Sequence, residues 1–534
     1  MIVFKLIQMT LPVIDNRREA SLAGARGMAW GVVLILAFWA GGCAIGPTLL
    51  KNGPLVDRSR TEYPANTEVR QFIKNLTAPT SFTFDSEGAL LVAESGAGGD
   101  EPQILGWRYN KPFMVYPTER RIPFSPFQPG FQIYGPVTGL AAANHFVYVA
   151  HRDQYGSGVI TRFDYHGHHL TLLADIPSYG DYGLTDLAVN TKEGRIYFGV
   201  GSATNSGVVG LDNVAEGWVR RHPKFCDMPA SDIHLLGYHF QTQNPFATLF
   251  GGNDIAVTGP LQPFGVSIAE TISKARNSRP TGCICSIDIN GGDIKVEASG
   301  LRYPRGLGFN EYGRLYFTDE GMELRGTRPI KDDPDVFFRL VPQAWYGDPD
   351  YSRNLRPITD EHFQPPVGQI ISTGYPRVSF LLDHVASGLQ PPNRELLLAG
   401  EFLPLSGAAK FAFCPGSGYF KKWQGDVIVA LFGDRAPFAT SGVKMVGPTG
   451  YKLVKLNLDT KQVEDFVRNT TGQPASRDNR SGIALERPID AKFGPDGALY
   501  ILDYGQMEMR GAREKISDET GALYRLTGIT DATP

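Results

Sequence analysis

One pattern recurs six times along the 534 residues and constrains the fold more than any other feature. A small or Gly-Leu start leads into apolar alternation, a Gly turn, and a second strand carrying Leu or Ile followed by Tyr. The copies are Ala78–Gly96, Gly135–Arg152, Gly183–Ser202, Tyr303–Gly321, Ala408–Asp434 and Arg487–Gly505; the fifth has a longer connection. Each reads as a hairpin of period-2 strands around a turn such as Asp496-Gly497, which favours positive φ. Hairpins repeated at intervals of roughly 50 to 120 residues fit propeller blades. A blade needs two further strands, and Gly158–Asp164, Cys283–Asn290, Tyr451–Leu458 and Leu523–Leu526 supply candidates. The 61 Gly and 38 Pro, with 22 Tyr and 31 Phe, suit tight turns between aromatic-rich strands. No long capped amphipathic helix is present. The expectation is an all-β, six-bladed β-propeller over residues 75–526. It is preceded by a linker at 44–74, interrupted by a long loop insertion at 203–280 and followed by a tail at 527–534. Two stacked β-sandwiches are the alternative, because hairpins alone do not force circular closure.

Residues 1–43 read as targeting. Met28–Ala40 is an uncharged, mostly apolar run with Arg17, Arg18 and Arg26 before it and Gly41, Gly42 and Cys43 after it. Such a run is shorter than the ~20 residues of a spanning helix and matches an export signal. Ala-Gly-Gly-Cys resembles a bacterial lipoprotein box with Cys43 lipidated; a plain signal peptide and an uncleaved anchor are the alternatives. The expected location is the periplasm or the outer membrane facing it. In an oxidising compartment Cys226, Cys283, Cys285 and Cys414 allow one or two disulfides of unassigned pairing. Cys283 and Cys285 alternate in a strand and so share a face. The net charge of −3 leaves no electrostatic footprint for nucleic acid.

Gly300-Leu301-Arg302-Tyr303-Pro304-Arg305-Gly306-Leu307 resembles the Gly-Leu-Arg-Asn-Pro-x-Gly-Leu signature of the glucose/sorbosone dehydrogenase-like propellers, the sugar dehydrogenases that use pyrroloquinoline quinone (PQQ). Thr318–Gly321, Pro334-Asp335, Trp345–Pro349, Trp423–Asp426 and Arg487–Asp490 extend the resemblance over residues 75–526. The resemblance implies quinone contact by Arg302, and Ca²⁺ beside the quinone held by backbone carbonyls near Gly321 and Met322. It implies hydride transfer from a sugar or aldehyde to the quinone. Two departures stand out. Tyr303 replaces the motif's Asn. Tyr182, after Asp181, stands where the family's catalytic His is expected. A phenol titrating near ~10 is a poor base at neutral pH, so Asp181 and Tyr182 are the catalytic candidates by position only. His222, His234 and His239 in the insertion are possible substitutes.

Asn205, Arg435 and Arg487 fall near the ends of blade strands, and two Arg there suit an anionic cofactor. Inter-blade salt bridges and loop capping explain the same residues equally well. Asp186, Asp319, Asp335 and Asp490 recur near hairpin ends, where Asp commonly accepts from turn amides. No Walker loop, Gly-x-Gly-x-x-Gly, His-Glu-x-x-His or Gly-x-Ser-x-Gly is present. Two alternatives to the dehydrogenase remain. One is a non-catalytic envelope propeller binding a glycan or protein. The other is a metal-dependent lactone hydrolase, which needs Asp186, Asn205, Glu320 and Asp490 to converge.

Overall fold

The computed structural model describes residues 46–99, 101–117, 131–247, 253–442 and 449–529. The targeting segment, including Cys43, lies outside them. Six four-stranded antiparallel cores form the blades. Each recurring hairpin supplies the two innermost strands of one blade: Pro79–Phe84 with Leu90–Glu94, Tyr134–Ala143 with Phe146–Arg152, Leu184–Asn190 with Arg195–Val200, Pro304–Phe309 with Leu315–Asp319, Ala408–Phe413 with Val427–Leu431, and Pro488–Phe493 with Leu499–Asp503. The innermost strands pack side by side in a closed ring, from blade 1 round to blade 6 and back.

The Gly of the recurring start has a packing reason. A Cβ on Gly139 would stand 2.9 Å from the Leu187 nitrogen of blade 3, and one on Gly306 2.6 Å from the Ala409 oxygen of blade 5. Only a bare backbone lets neighbouring inner strands approach so closely. Between blades, the alternating apolar residues interleave; Tyr148 and Ile160 of blade 2 share a buried cluster with Leu187, Phe198, Cys283 and Cys285 of blade 3. The recurring aspartates bond backbone amides. Asp186 accepts the Leu307 N–H at 3.1 Å and Asp490 the Phe82 N–H at 3.2 Å, each from the next blade.

The start of the propeller differs from the expected boundary. Residues 67–74, read as linker, belong to strand Thr67–Leu76, which pairs with Gly521–Gly528 as the outer strand of blade 6. Val69, Ile73 and Leu76 are fully buried there. Blade 6 has only three strands from the C-terminal part of the chain, and the N-terminal strand completes it. The 203–280 insertion also holds more than loops. Helices Leu211–Glu216 and Trp218–Arg221 and two small two-stranded sheets form within it. The four described cysteines are free buried thiols, with the sulfurs of Cys283 and Cys285 3.4 Å apart on one face of their strand.

Candidate functional site

A funnel of about 950 Å³ opens on the propeller axis. It lies where innermost strands begin and second strands end. The residue directly after the second strand faces it in four blades: Ser95, Glu320, Phe432 and Tyr504. Helix Leu211–Glu216 contributes Glu216 at the mouth. Hairpin Met507–Arg510/Arg513–Ile516 contributes Glu514.

One side of the wall is a continuous band of planar groups. Tyr182 and Tyr303 stack with centroids 4.5 Å apart. The Arg305 guanidinium lies 5.7 Å from the Tyr303 centroid and 4.5 Å from that of Phe432. Phe432 meets Tyr504 edge to face at 5.3 Å. Rings and guanidinium planes of this kind present flat apolar faces with polar edges.

The cations that reach the inner wall all have partners. Arg305 donates to Glu320 at 2.5 Å. Arg435 lies 3.4 Å from both Glu216 and Glu514. Burial works against its charge, but the two carboxylates overcome this and hold the guanidinium protonated. At the floor, Lys410 from blade 5 reaches across the axis, donating to the Thr138 carbonyl of blade 2 at 2.8 Å and to Asp186 of blade 3 at 3.0 Å. Arg221 and Arg513 are exposed at the rim. Seven carboxylates line the same space: Asp181, Glu216, Glu320, Glu323, Asp335, Asp434 and Glu514. Two of them titrate near neutrality. Burial, and then the neighbouring Glu320, pushes Asp335 up to about 7. Burial pushes Glu216 up to about 7 against the pull of Arg435.

Behind the aromatic wall lies a buried ionic network. Arg302 is fully buried. It donates to the Asn205 carbonyl at 3.0 Å, the Glu320 carbonyl at 3.3 Å, the Asn205 Oδ1 at 2.9 Å and the Tyr182 hydroxyl oxygen. Arg325 holds Glu323, Asp212 and Asp181 and also donates to the Tyr182 oxygen at 3.0 Å. Burial alone would raise the Glu323 carboxyl, but Arg325 and Arg302 bring it down to about 2. Burial pushes the Tyr182 phenol well above its ordinary range despite Arg302.

The sequence candidates therefore divide into two groups. Asp181, Tyr182, Gly321 and Arg435 line the funnel. Asp181 accepts from Asn213, Trp218 and Arg325, so its oxygens are occupied from behind. Arg302, Asn205 and Arg487 stand behind the wall, Arg487 donating to the Phe432 and Asp434 carbonyls. Met322 is buried among Ile330, Ile358 and Phe363, its N–H on Asp333. Among the described residues no His lines the funnel; His222 stacks on Tyr179 at 4.0 Å. Asp186, Asn205, Glu320 and Asp490 do not converge. Their side chains meet Lys410, Arg302, Arg305 and Lys492 respectively. No group of three metal-capable side chains occurs among the described residues. Arg305, Phe432, Tyr504 and Lys410 were not among the sequence candidates. Their signal is positional: each sits at a fixed place relative to the first or second strand of its blade.

Fold and funnel define a six-bladed β-propeller with a large cavity at one end of its axis. No family model and no curated protein matches the sequence. Among solved structures, the chain is similar to the PQQ domain of pyranose dehydrogenase from Coprinopsis cinerea (15% identity, 90% of this chain and 100% of that one, TM-score 0.49). It is also similar to the calcium structure of a Trichoderma reesei family AA12 carbohydrate-active enzyme (14%, 90% and 99%, 0.49). A third is the PQQ-bound aldose sugar dehydrogenase of Streptomyces coelicolor (13%, 87% and 100%, 0.42).

Proposed function

We propose that this chain is a sugar-binding propeller whose funnel takes a polyhydroxylated small molecule without a quinone. The observation that carries the reading is the Tyr182–Tyr303–Arg305–Phe432–Tyr504 band in a funnel also lined by carboxylates. The half-buried Tyr303 and Arg305 offer planar apolar surface to the C–H groups of a sugar ring, and ion-paired carboxylates and guanidiniums suit its hydroxyls.

The residues present do not fit PQQ. A tricarboxylate needs uncommitted cations. Arg305, Arg435 and Lys410 are each matched by a carboxylate, Arg302 and Arg487 are spent behind the wall, and Arg221 and Arg513 stand at the exposed rim, away from the floor. An added trianion would share the space with seven carboxyl groups, of which Asp335 and Glu216 titrate near neutrality and Asp181 and Glu323 are paired with Arg325. Ca²⁺ at Gly321, which the family resemblance places beside the quinone, loses that partner. The cations of the inner wall are therefore not free to seat a quinone for hydride transfer.

Calorimetric titration of the purified chain with a panel of monosaccharides tests the reading. It predicts millimolar or tighter binding of at least one sugar, weakened about ten-fold (~1.4 kcal/mol) by Tyr303→Ala. Heat-silent titrations across the panel would remove it. Export and lipid anchoring through Cys43 are likewise proposed, from the Met28–Cys43 pattern alone. Incorporation of labelled fatty acid into the wild type but not into Cys43→Ala is the expected result.

A further inference from the structure

Lys410 is a lysine in an unusual position. It starts on the innermost strand of blade 5, lines the floor of the funnel, and is 4% exposed. Among the described funnel residues it is the one primary amine. Two of its three N–H groups are spoken for, by Asp186 and the Thr138 carbonyl. Asp490 and Lys492 complete the charged groups around it, Lys492 holding both oxygens of Asp490 at 2.9 and 3.0 Å. Buried lysines beside a second cation and a carboxylate are suited to lose a proton and act as nucleophiles. Burial does lower the pKa of this ammonium, Lys492 adds to that effect, and Asp186 and Asp490 oppose it.

We propose that Lys410 is a covalent capture site for an aldehyde, including the open-chain form of an aldose, bound at the funnel floor. Asp186 takes one ammonium proton, and the freed lone pair of Nζ bonds to the carbonyl carbon. The carbonyl oxygen collects two protons, one from the nitrogen and one returned by Asp186, and leaves as water. The product is a protonated imine that keeps the charge of Lys410 opposite Asp186, so the ion pair survives. Hydrolysis reverses the step, and no oxidant or reductant is consumed. The site needs only a carbonyl ligand, so it stands or falls separately from the sugar-binding reading.

The test uses the purified chain with glyceraldehyde and cyanoborohydride at neutral pH, followed by intact mass and peptide mapping. The reductant traps any imine as a stable secondary amine. The inference predicts that Lys410 is modified at least ten-fold faster than the exposed Lys192 and Lys461, in spite of its burial. Lys410→Arg keeps a cation on Asp186 and should remove the fast adduct while surface labelling continues. An unmodified Lys410 beside labelled surface lysines overturns the inference. So does a rate at Lys410 no greater than theirs. The mapping on the wild type decides the matter even if the variant fails to fold. Sugar binding by calorimetry alongside an unlabelled Lys410 would leave the earlier reading standing and remove only this one.

Discussion

Arg302 shows how a motif residue can be placed correctly along the chain and still serve a different end. Its motif spans Gly300–Leu307 and runs into the inner strand of blade 4, with Arg302 two residues ahead of that strand. Its guanidinium points into a buried network with Asn205, Tyr182 and Glu323 instead of into the funnel. Whether an Arg faces a cavity or a neighbouring loop depends on what long-range partners lie within reach. Asn205 and the Glu323–Arg325 pair are brought there by two segments more than 100 residues apart, which no local pattern encodes. Removing Arg302 strands the buried Glu323 charge and several acceptors. Arg302→Ala should therefore cost about 3–5 kcal/mol in urea unfolding. Stability equal to wild type would mean that the network is not structural.

At the scale of elements, the hairpins are legible because the two-residue strand period and the Gly turns are local signals. The predicted third and fourth strands at Gly158–Asp164, Cys283–Asn290 and Tyr451–Leu458 fall on strands Gly158–Phe163, Cys283–Asp288 and Lys452–Leu456 for the same reason. Strand Thr67–Leu76 is not legible in this way. Its pairing partner lies more than 440 residues away, and its polar residues resemble a linker. Deleting residues 47–76 should abolish cooperative unfolding, because blade 6 loses its outer strand and the cover over its core. A cooperative melt near the wild-type midpoint would show that closure does not need it. Lys410 ties blade 5 to blades 2 and 3 across the axis. Lys410→Met should cost roughly 3 kcal/mol by leaving Asp186 unpaired, and adding Asp186→Asn should restore at least half of that. No restoration would place the loss in packing and not in the ion pair.

For the whole molecule, the buried carboxylates dominate the response to pH. Burial pushes Asp335, Asp348 and Glu216 up to about 7 and Asp212 and Asp333 to about 6. In the unfolded chain these groups titrate at about 4. As pH rises from about 4 to about 7, the unfolded state has already released protons that the folded state still holds, so stability falls across that window and levels off above it. Glu323, held near about 2, acts oppositely, and its contribution is lost as pH falls through the interval from about 4 to about 2. Urea unfolding at a series of pH values should show greatest stability near pH 4 to 5 and a decline of at least ~2 kcal/mol by pH 8. A flat or rising profile between pH 5 and pH 8 would mean that these carboxylates are ionised and compensated. The pairing of Arg305, Arg435 and Lys410 with carboxylates around the funnel underlies the proposal that this propeller takes no quinone tricarboxylate. Calorimetric titration of the purified chain with PQQ, with and without Ca²⁺, is the decisive measurement. No saturable heat is expected up to ~100 μM in either condition. Tight binding that depends on Ca²⁺ would overturn the conclusion, because the ion pairs of Arg305, Arg435 and Lys410 would then have to open to receive the cofactor.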